Sequence, residues 1–269
     1  MEKLFDSHAH YFDARFASEE CPGGADRLLD GLIAAGDLGG IVNVGTDIPS
    51  SYAAIAQAKR YDVMYAAVGI HPSDAQRYPA MQAELDKLET LLQAAAQNKT
   101  VALGEIGLDY HYPETDKKIQ AEYLDAQLAM AVQYRMPVII HDREAHGDCF
   151  DAICRHPGVC GVFHSYSGSA EMAQDLIRRG FYISFSGTIT FKNATKIAAV
   201  AVSLPHDRVL IETDCPYLAP HPFRGQLNHS GLMKHTADKL GELWGVGYEA
   251  AVAITAQNAK RLFRLGEET

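Results

Sequence analysis

Short apolar runs alternate with longer stretches of helical spacing along the whole chain. The runs that read as buried strands are Lys3–Ser7, Gly40–Val44, Val63–Val68, Val101–Ile106, Pro137–Ile140, Gly161–Phe163, Phe181–Phe185 and Val209–Glu212. Between them, Ala80–Gln97 places Leu85, Leu88, Leu91 and Leu92 on one helical face. In Ser169–Arg179, Ser169 is a predicted N-cap, Met172, Leu176 and Ile177 form the apolar stripe, and Gly180 ends the helix. Further helices are predicted near Asp26–Ala35, Ser51–Arg60, Ile119–Arg135, Asn193–Ser203 and Leu232–Leu243. The last stretch, Tyr248–Leu265, predicts one or two C-terminal helices packed on the outside.

Eight strands alternating with helices predict an α/β fold with a parallel sheet and crossover connections. Eight such units in 269 residues fit a closed (β/α)8 TIM-type barrel better than an open sheet. No Pro/Gly/Ser linker, charge block or low-complexity tract interrupts the pattern, so residues 1–269 read as a single domain.

Composition adds limits. A net charge of −10 does not suggest binding of nucleic acid through a broad basic face. It leaves room for a local cleft that handles phosphates with metal ions and a few arginines. Five cysteines, odd in number and without a CxxC pair, predict free thiols in a reducing compartment. No apolar stretch approaches the ~20 residues that span a bilayer. With no signal-peptide pattern in view, a cytoplasmic protein with no membrane partner is expected.

The candidate chemistry starts at Phe5-Asp6-Ser7-His8-Ala9-His10. In a strand, residues i and i+2 face the same side, so His8 and His10 can aim two nitrogens at one object. Alone, such a pair reads as two surface histidines. Its partners stand at other strand ends: His71 past the third, Glu105 at the fourth, His141 at the fifth, His164 at the sixth and Asp214 at the eighth. In a barrel those ends form one rim, where active sites sit. Taken singly, His141 reads as a core histidine and Asp214 as a turn residue or cap. Together, imidazoles and carboxylates crowded at one mouth need a cation between them. Divalent Zn, Mn, Fe or Mg suits these donors, and the number of donors predicts two ions rather than one.

The segments DSHAH, VGIHP, GEIGLDY, IHDREA, FHSYSGS, GFYISFSGTITFKN, ETDCPYLAP and QNAKRLF, in this order, resemble the TatD family of metal-dependent hydrolases. The similarity runs from about Phe5 to about Leu265. It implies a TIM-type barrel and a metal-dependent DNase that removes nucleotides from a 3′ end. Carried over by position, His8, His10, Glu105 and Asp214 would hold one metal; Glu105, His141 and His164 would hold the second. Three features depart from the family pattern: Cys215 after the Asp, HSYSGS with its hydroxyl at Ser167, and His229-Ser230 where an acidic residue and proline commonly follow the Asn. The last puts the pocket wall beside the eighth strand in question.

On this reading a metal-activated hydroxide attacks phosphorus, with Asp214 as proton acceptor and Glu105 as the bridging acid. Arg143 is a candidate phosphate clamp, and the backbone amides at Gly168–Ser169 a second cradle. Lys192 and Arg224 are candidate contacts to the nucleic-acid backbone, and Tyr110 and His71 to the substrate, His71 as a proton donor to the leaving group. Asp109 reads as a residue that orients a neighbour. Tyr11, Tyr110, Tyr112, Tyr166 and Phe223 are candidate stacking surfaces for a single strand, most of them better read as packing on one another. The implied partner is DNA, with a single strand as the candidate form. The rival readings are a hydrolase of carboxyl esters, amides or lactones, including one that removes a misattached amino acid from tRNA, and a non-catalytic binding barrel.

Overall fold

The computed structural model describes residues 2–266. Among them, eight strands form one parallel sheet in chain order: β1 Leu4–Ala9, β2 Leu38–Val44, β3 Met64–Val68, β4 Thr100–Asp109, β5 Val138–Arg143, β6 Gly161–Phe163, β7 Tyr182–Phe185 and β8 Val209–Ile211. The sheet closes on itself beyond β8. Ala9 bridges Cys215, His10 N–H donates to Cys215 O at 2.8 Å, and Asp214 N–H donates to His8 O at 2.9 Å. This is a (β/α)8 barrel of TIM type.

The helices are α1 Gly24–Ala35, α2 Ile48–Arg60, α3 Pro72–Ala75, α4 Met81–Gln93, α5 Lys117–Tyr134, α6 His146–Arg155, α7 Ala170–Arg178, α8 Thr195–Ser203, α9 Met233–Trp244 and α10 Tyr248–Leu262. Start signals place several of them. Asp47 accepts from Ser50 N–H at 2.8 Å as the N-cap of α2, and Ser169 accepts from Met172 N–H at 3.2 Å at α7. In α4, Leu85, Leu88, Leu91 and Leu92 are buried, as their spacing predicts. The pattern did not predict α6. It begins at His146-Gly147, has no side-chain cap, and buries only Cys149, Ala152 and Ile153.

Strand side chains divide between two apolar sets by alternation. Ile41, Met64, Ala66, Val138, Ile140 and Phe163 pack with the surrounding helices. Phe5, Val42, Val44, Ala67, Ala102, Ile139, Val162 and Leu210 form the second set, together with Ala256, Ala259, Leu262 and Phe263. The C-terminal helix therefore does not lie simply on the outside. It covers the end where the strands begin, and Asn258 Nδ2 donates to Val209 O, at the start of β8, at 2.9 Å. One end of the barrel is thus plugged by apolar packing, and chemistry is left to the other.

Cys21, Cys149, Cys154, Cys160 and Cys215 are all free thiols. Among the described residues, no helix is long and apolar enough to cross a membrane.

Candidate metal centre

Local irregularities in two strands bring the donors together. Pairing between β1 and β2 shifts register between Asp6 and Ala9, and pairing between β4 and β5 shifts between Leu103 and Ile106. These bulges fall at His8 and at Glu105, where an extra residue re-aims the side chains. The strands also run further than their apolar character. β1 includes His8, and β4 continues to Asp109, so Glu105 stands mid-strand. β5 continues to Arg143, whereas β8 stops at Ile211 and leaves Asp214 in the loop beyond. Asp214 holds a left-handed backbone, φ +57°, of the kind found at strained functional positions.

The first donor set is compact. His8 Nε2 lies 3.0 Å from His10 Nε2 and 3.3 Å from Glu105 Oε2. His10 Nε2 lies 3.6 Å from Glu105 Oε2 and 3.4 Å from Asp214 Oδ1, which is 3.8 Å from His8 Nε2. A tetrahedral ion with ligands near 2.1 Å sets its donors about 3.4 Å apart. The second set uses the other carboxylate oxygen. Glu105 Oε1 lies 2.8 Å from His141 Nδ1 and 2.8 Å from His164 Nε2, and these two nitrogens are 3.2 Å apart. Glu105 is the shared residue.

Outer hydrogen bonds decide which nitrogen of each ring is bare. His10 Nδ1 donates to Val44 O at 2.6 Å, and His164 Nδ1 faces Glu212 Oε1 at 3.2 Å, which leaves Nε2 of both rings bare. His141 Nε2 faces Asp109 Oδ2 at 3.3 Å, which leaves Nδ1 toward Glu105. His71 is the opposite case. By distance alone it would group with Glu105 and His141. Its Nδ1, however, accepts from Ser73 N–H at 3.1 Å, so the proton of the neutral ring sits on Nε2, 3.4 Å from Glu105 Oε1. That tautomer donates a hydrogen bond and does not ligate.

Electrostatics sort the rings differently: against burial, Asp214 and Glu105 raise His10, Asp109 and Glu105 raise His141, and Glu105 and Glu212 hold His164 well above the ordinary imidazole range. Burial holds His8 and His71 below the ordinary imidazole range, as neutral rings. Burial opposes ionisation of Glu105, but His164, His71 and His8, with a hydrogen bond from His141, hold its carboxyl well below the usual range. His8 Nδ1 is buried with no partner among the described residues. Three imidazole nitrogens left bare by outer hydrogen bonds, with His8 Nε2 beside them, surround two carboxylates in sets each spaced for one ion and fit a pair of divalent cations. Chelator-treated protein is therefore expected to melt at lower temperature and to recover with Zn, Mn or Mg. An ion at a thousandfold excess over its Kd would add about 4 kcal/mol. Absence of a shift in thermal melts with every one of these ions would remove the metal centre.

Apart from His8, which is fully buried, the donors line a cavity of about 710 Å³, which also takes in Phe12, Thr46, His71, Asp109, Ser165, Ser167 and Thr188. Arg143 lines it from the end of β5, its guanidinium 5.6 Å from the centre of the Tyr112 ring. Tyr112 and Tyr217 stand at the lining 48% and 45% exposed, each with an arginine guanidinium over its ring. Other expected contacts lie elsewhere. Tyr110 gives its hydroxyl to Asp148 at 2.7 Å and its ring face to Lys117; it does not line the cavity. Lys192 and Arg224 are exposed outside the lining. Tyr11 and Tyr166 are buried, and Phe223 packs on His235.

A family model described as TatD related DNase matches residues 5–264. The chain belongs to this family. It is 40% identical over 265 residues to YabD of Bacillus subtilis, an uncharacterized metal-dependent hydrolase, covering 97% of this chain and 99% of that one. It is 35% identical over 265 residues to YcfH of Escherichia coli, also named an uncharacterized metal-dependent hydrolase, covering 97% and 96%. The crystal structure of YJJV, a TatD homologue from Escherichia coli K12, superposes with a TM-score of 0.87 at 29% identity, covering 97% of this chain and 98% of that one. The protein is accordingly a metal-dependent hydrolase of the TatD family.

Within this TatD barrel, several residues that position the donors were given no role by the sequence alone. Asp6 is fully buried. Its carboxylate accepts from Thr213 N–H at 2.9 Å, Thr213 Oγ1 at 2.7 Å and Ser230 Oγ at 2.7 Å. It thereby joins the strand of His8 and His10 to the segment of Asp214, although burial pushes its carboxyl up to about 6. The departure at Ser230 has a structural use: its N–H donates to the Tyr11 hydroxyl at 3.0 Å and its own hydroxyl bonds Asp6. A proline there could do neither. Asp6 and Glu212 open the segments DSHAH and ETDCPYLAP, and Ser230 stands out as a departure, but nothing in the sequence assigns any of the three a positioning role.

Proposed function

We propose that this TatD barrel hydrolyses phosphodiester bonds in DNA, shortening a single strand from its 3′ end. The observation that carries the reading is the floor of the cavity: two donor sets joined through Glu105, beneath one arginine and two exposed tyrosine rings. Divalent ions held there would lower the pKa of a bound water and neutralise charge on the phosphoryl oxygens.

The chain's own residues do the rest. Asp214 is the acidic side chain of the first set that is not shared, and it takes the proton of the attacking water. Arg143 hydrogen-bonds a phosphoryl oxygen, a fork geometry that suits phosphate. His71, which lines the cavity with its neutral ring protonated on Nε2, hydrogen-bonds the leaving oxygen, and the proton accepted by Asp214 passes on to that oxygen. Asp109 holds the His141 ring in its ligating orientation. The free thiols support a reducing, cytoplasmic setting.

A second reading is hydrolysis of a carboxyl ester or amide, such as an aminoacyl ester of tRNA. What favours it is the lining itself, where Asp13, Asp74 and Asp142 outnumber the lone Arg143. Metal-reconstituted protein is expected to shorten a 5′-labelled oligonucleotide one residue at a time and to leave an aminoacyl ester panel intact. His141→Ala should abolish the shortening, and Asp214→Asn should slow it sharply with metal still bound. Turnover of the esters alone would replace the first reading by the second; full turnover by Asp214→Asn would strip Asp214 of its role.

A further inference from the structure

Behind Tyr217 lies a second recess of about 320 Å³, which shares Tyr217 and Leu218 with the lining of the main cavity. Its other walls include Arg15, Phe191, Arg224 and Gln226. We infer that this recess binds the nucleotide next to the scissile linkage, with its phosphate on Arg224 and Arg15 and its base against the Tyr217 ring. The inference rests on the nuclease reading and names where the rest of the strand runs.

The geometry suits a sugar–phosphate. The Tyr217 ring is held in place: its hydroxyl donates to Asp13 at 2.7 Å, and the Arg15 guanidinium lies 5.9 Å from its centre. A ring fixed at its polar end, carrying a cation over one face and still half-exposed, is a stacking platform of low entropy cost. Arg15 is fixed too, by Glu20 at 2.8 Å and by donation to Pro216 O at 3.2 Å. Arg224 is exposed and sits 4.7 Å from the centre of the Phe191 ring, and among the described residues no carboxylate pairs with it. A cation parked on an aromatic face, without a counter-ion, beside a second arginine, suits an incoming phosphate. The whole molecule carries −10, so local cations must do the recruiting that net charge does not.

The recess predicts a dependence on substrate length. Wild-type protein is compared on bis(p-nitrophenyl) phosphate, which reports the metal floor alone, and on 3′-labelled DNA of two and six nucleotides. The ratio of kcat/KM for the hexanucleotide to that for the small diester should fall about tenfold in Arg224→Glu and be largely restored in Arg224→Lys. The dependence of log KM on log salt for the hexanucleotide should weaken in Arg224→Glu by about 0.7 for each phosphate that is no longer neutralised. An equal fall on both substrates, or an unchanged ratio, overturns the recess while the nuclease reading survives. Hydrolysis of the small diester without any cleavage of DNA by the wild type overturns both.

Discussion

Glu105→Gln is expected to disable both donor sets with one substitution and to lower turnover at least about a thousandfold. Each carboxylate oxygen serves a different set, Oε2 with His8 and His10, Oε1 with His141 and His164. A glutamine keeps the volume but can offer only one oxygen, and its amide nitrogen would meet bare imidazole nitrogens as a donor. It also removes the negative charge that a divalent ion needs among neutral rings. A loss of several kcal/mol of charge stabilisation corresponds to three or more decades in rate. Metal content by atomic emission, measured beside kcat/KM, is the check. Asp109→Asn, which disturbs only the orientation of His141, serves as the control, with an expected loss of about 10–100-fold. A Glu105→Gln protein that kept two ions and near-normal turnover would refute the shared-carboxylate arrangement.

Gly107→Ala is expected to cost about 3 kcal/mol of stability and to weaken metal binding with it. Gly107 holds φ +149°, and a Cβ placed there would stand 1.9 Å from His141 O and 2.8 Å from the His141 carbonyl carbon. Those are backbone atoms of the neighbouring strand and cannot rotate away. To admit the methyl group, β4 and β5 would have to separate at the rung between Glu105 and Asp109, both of which touch the His141 ring. Urea denaturation checks the first part of the prediction and calorimetric metal titration the second. Gly147→Ala is the comparison, since a Cβ there meets nothing within 4 Å and the site is helical. It should be neutral or stabilising by about 0.5–1 kcal/mol. Equal stability of the two variants would show that the close approach at Gly107 has no energetic importance.

Much of the barrel was legible because buried strands and amphipathic helices leave different periods in a chain. Leu85, Leu88, Leu91 and Leu92 announce α4 in this way, and all four are buried. The helix α6 escaped because it is only ten residues long, buries just Cys149, Ala152 and Ile153, and starts without a capping side chain. Strand ends were misplaced where a polar residue occupies a strand position, as at His8, Asp109 and Arg143. Hydrophobicity stops at the site although the hydrogen-bonded ladder does not. Functional strands break the pattern at the positions that carry their chemistry.

Local spacing and composition suffice for the α/β alternation and for the residue types able to bind a divalent ion, because neither depends on distant parts of the chain. Most proton positions, by contrast, follow from the closed barrel, although the His71 tautomer is set locally by the cap of α3. His71 became a donor because Ser73 N–H meets its Nδ1, while Val44 O, Asp109 and Glu212 leave His10, His141 and His164 with bare nitrogens. Closure also settled that Tyr217 and Tyr112, and not Tyr110, face the cavity, and that α10 covers the opposite end. These outcomes depend on atoms brought together by the closing of a sheet, many of them from distant parts of the chain, and no local pattern records which of them will meet.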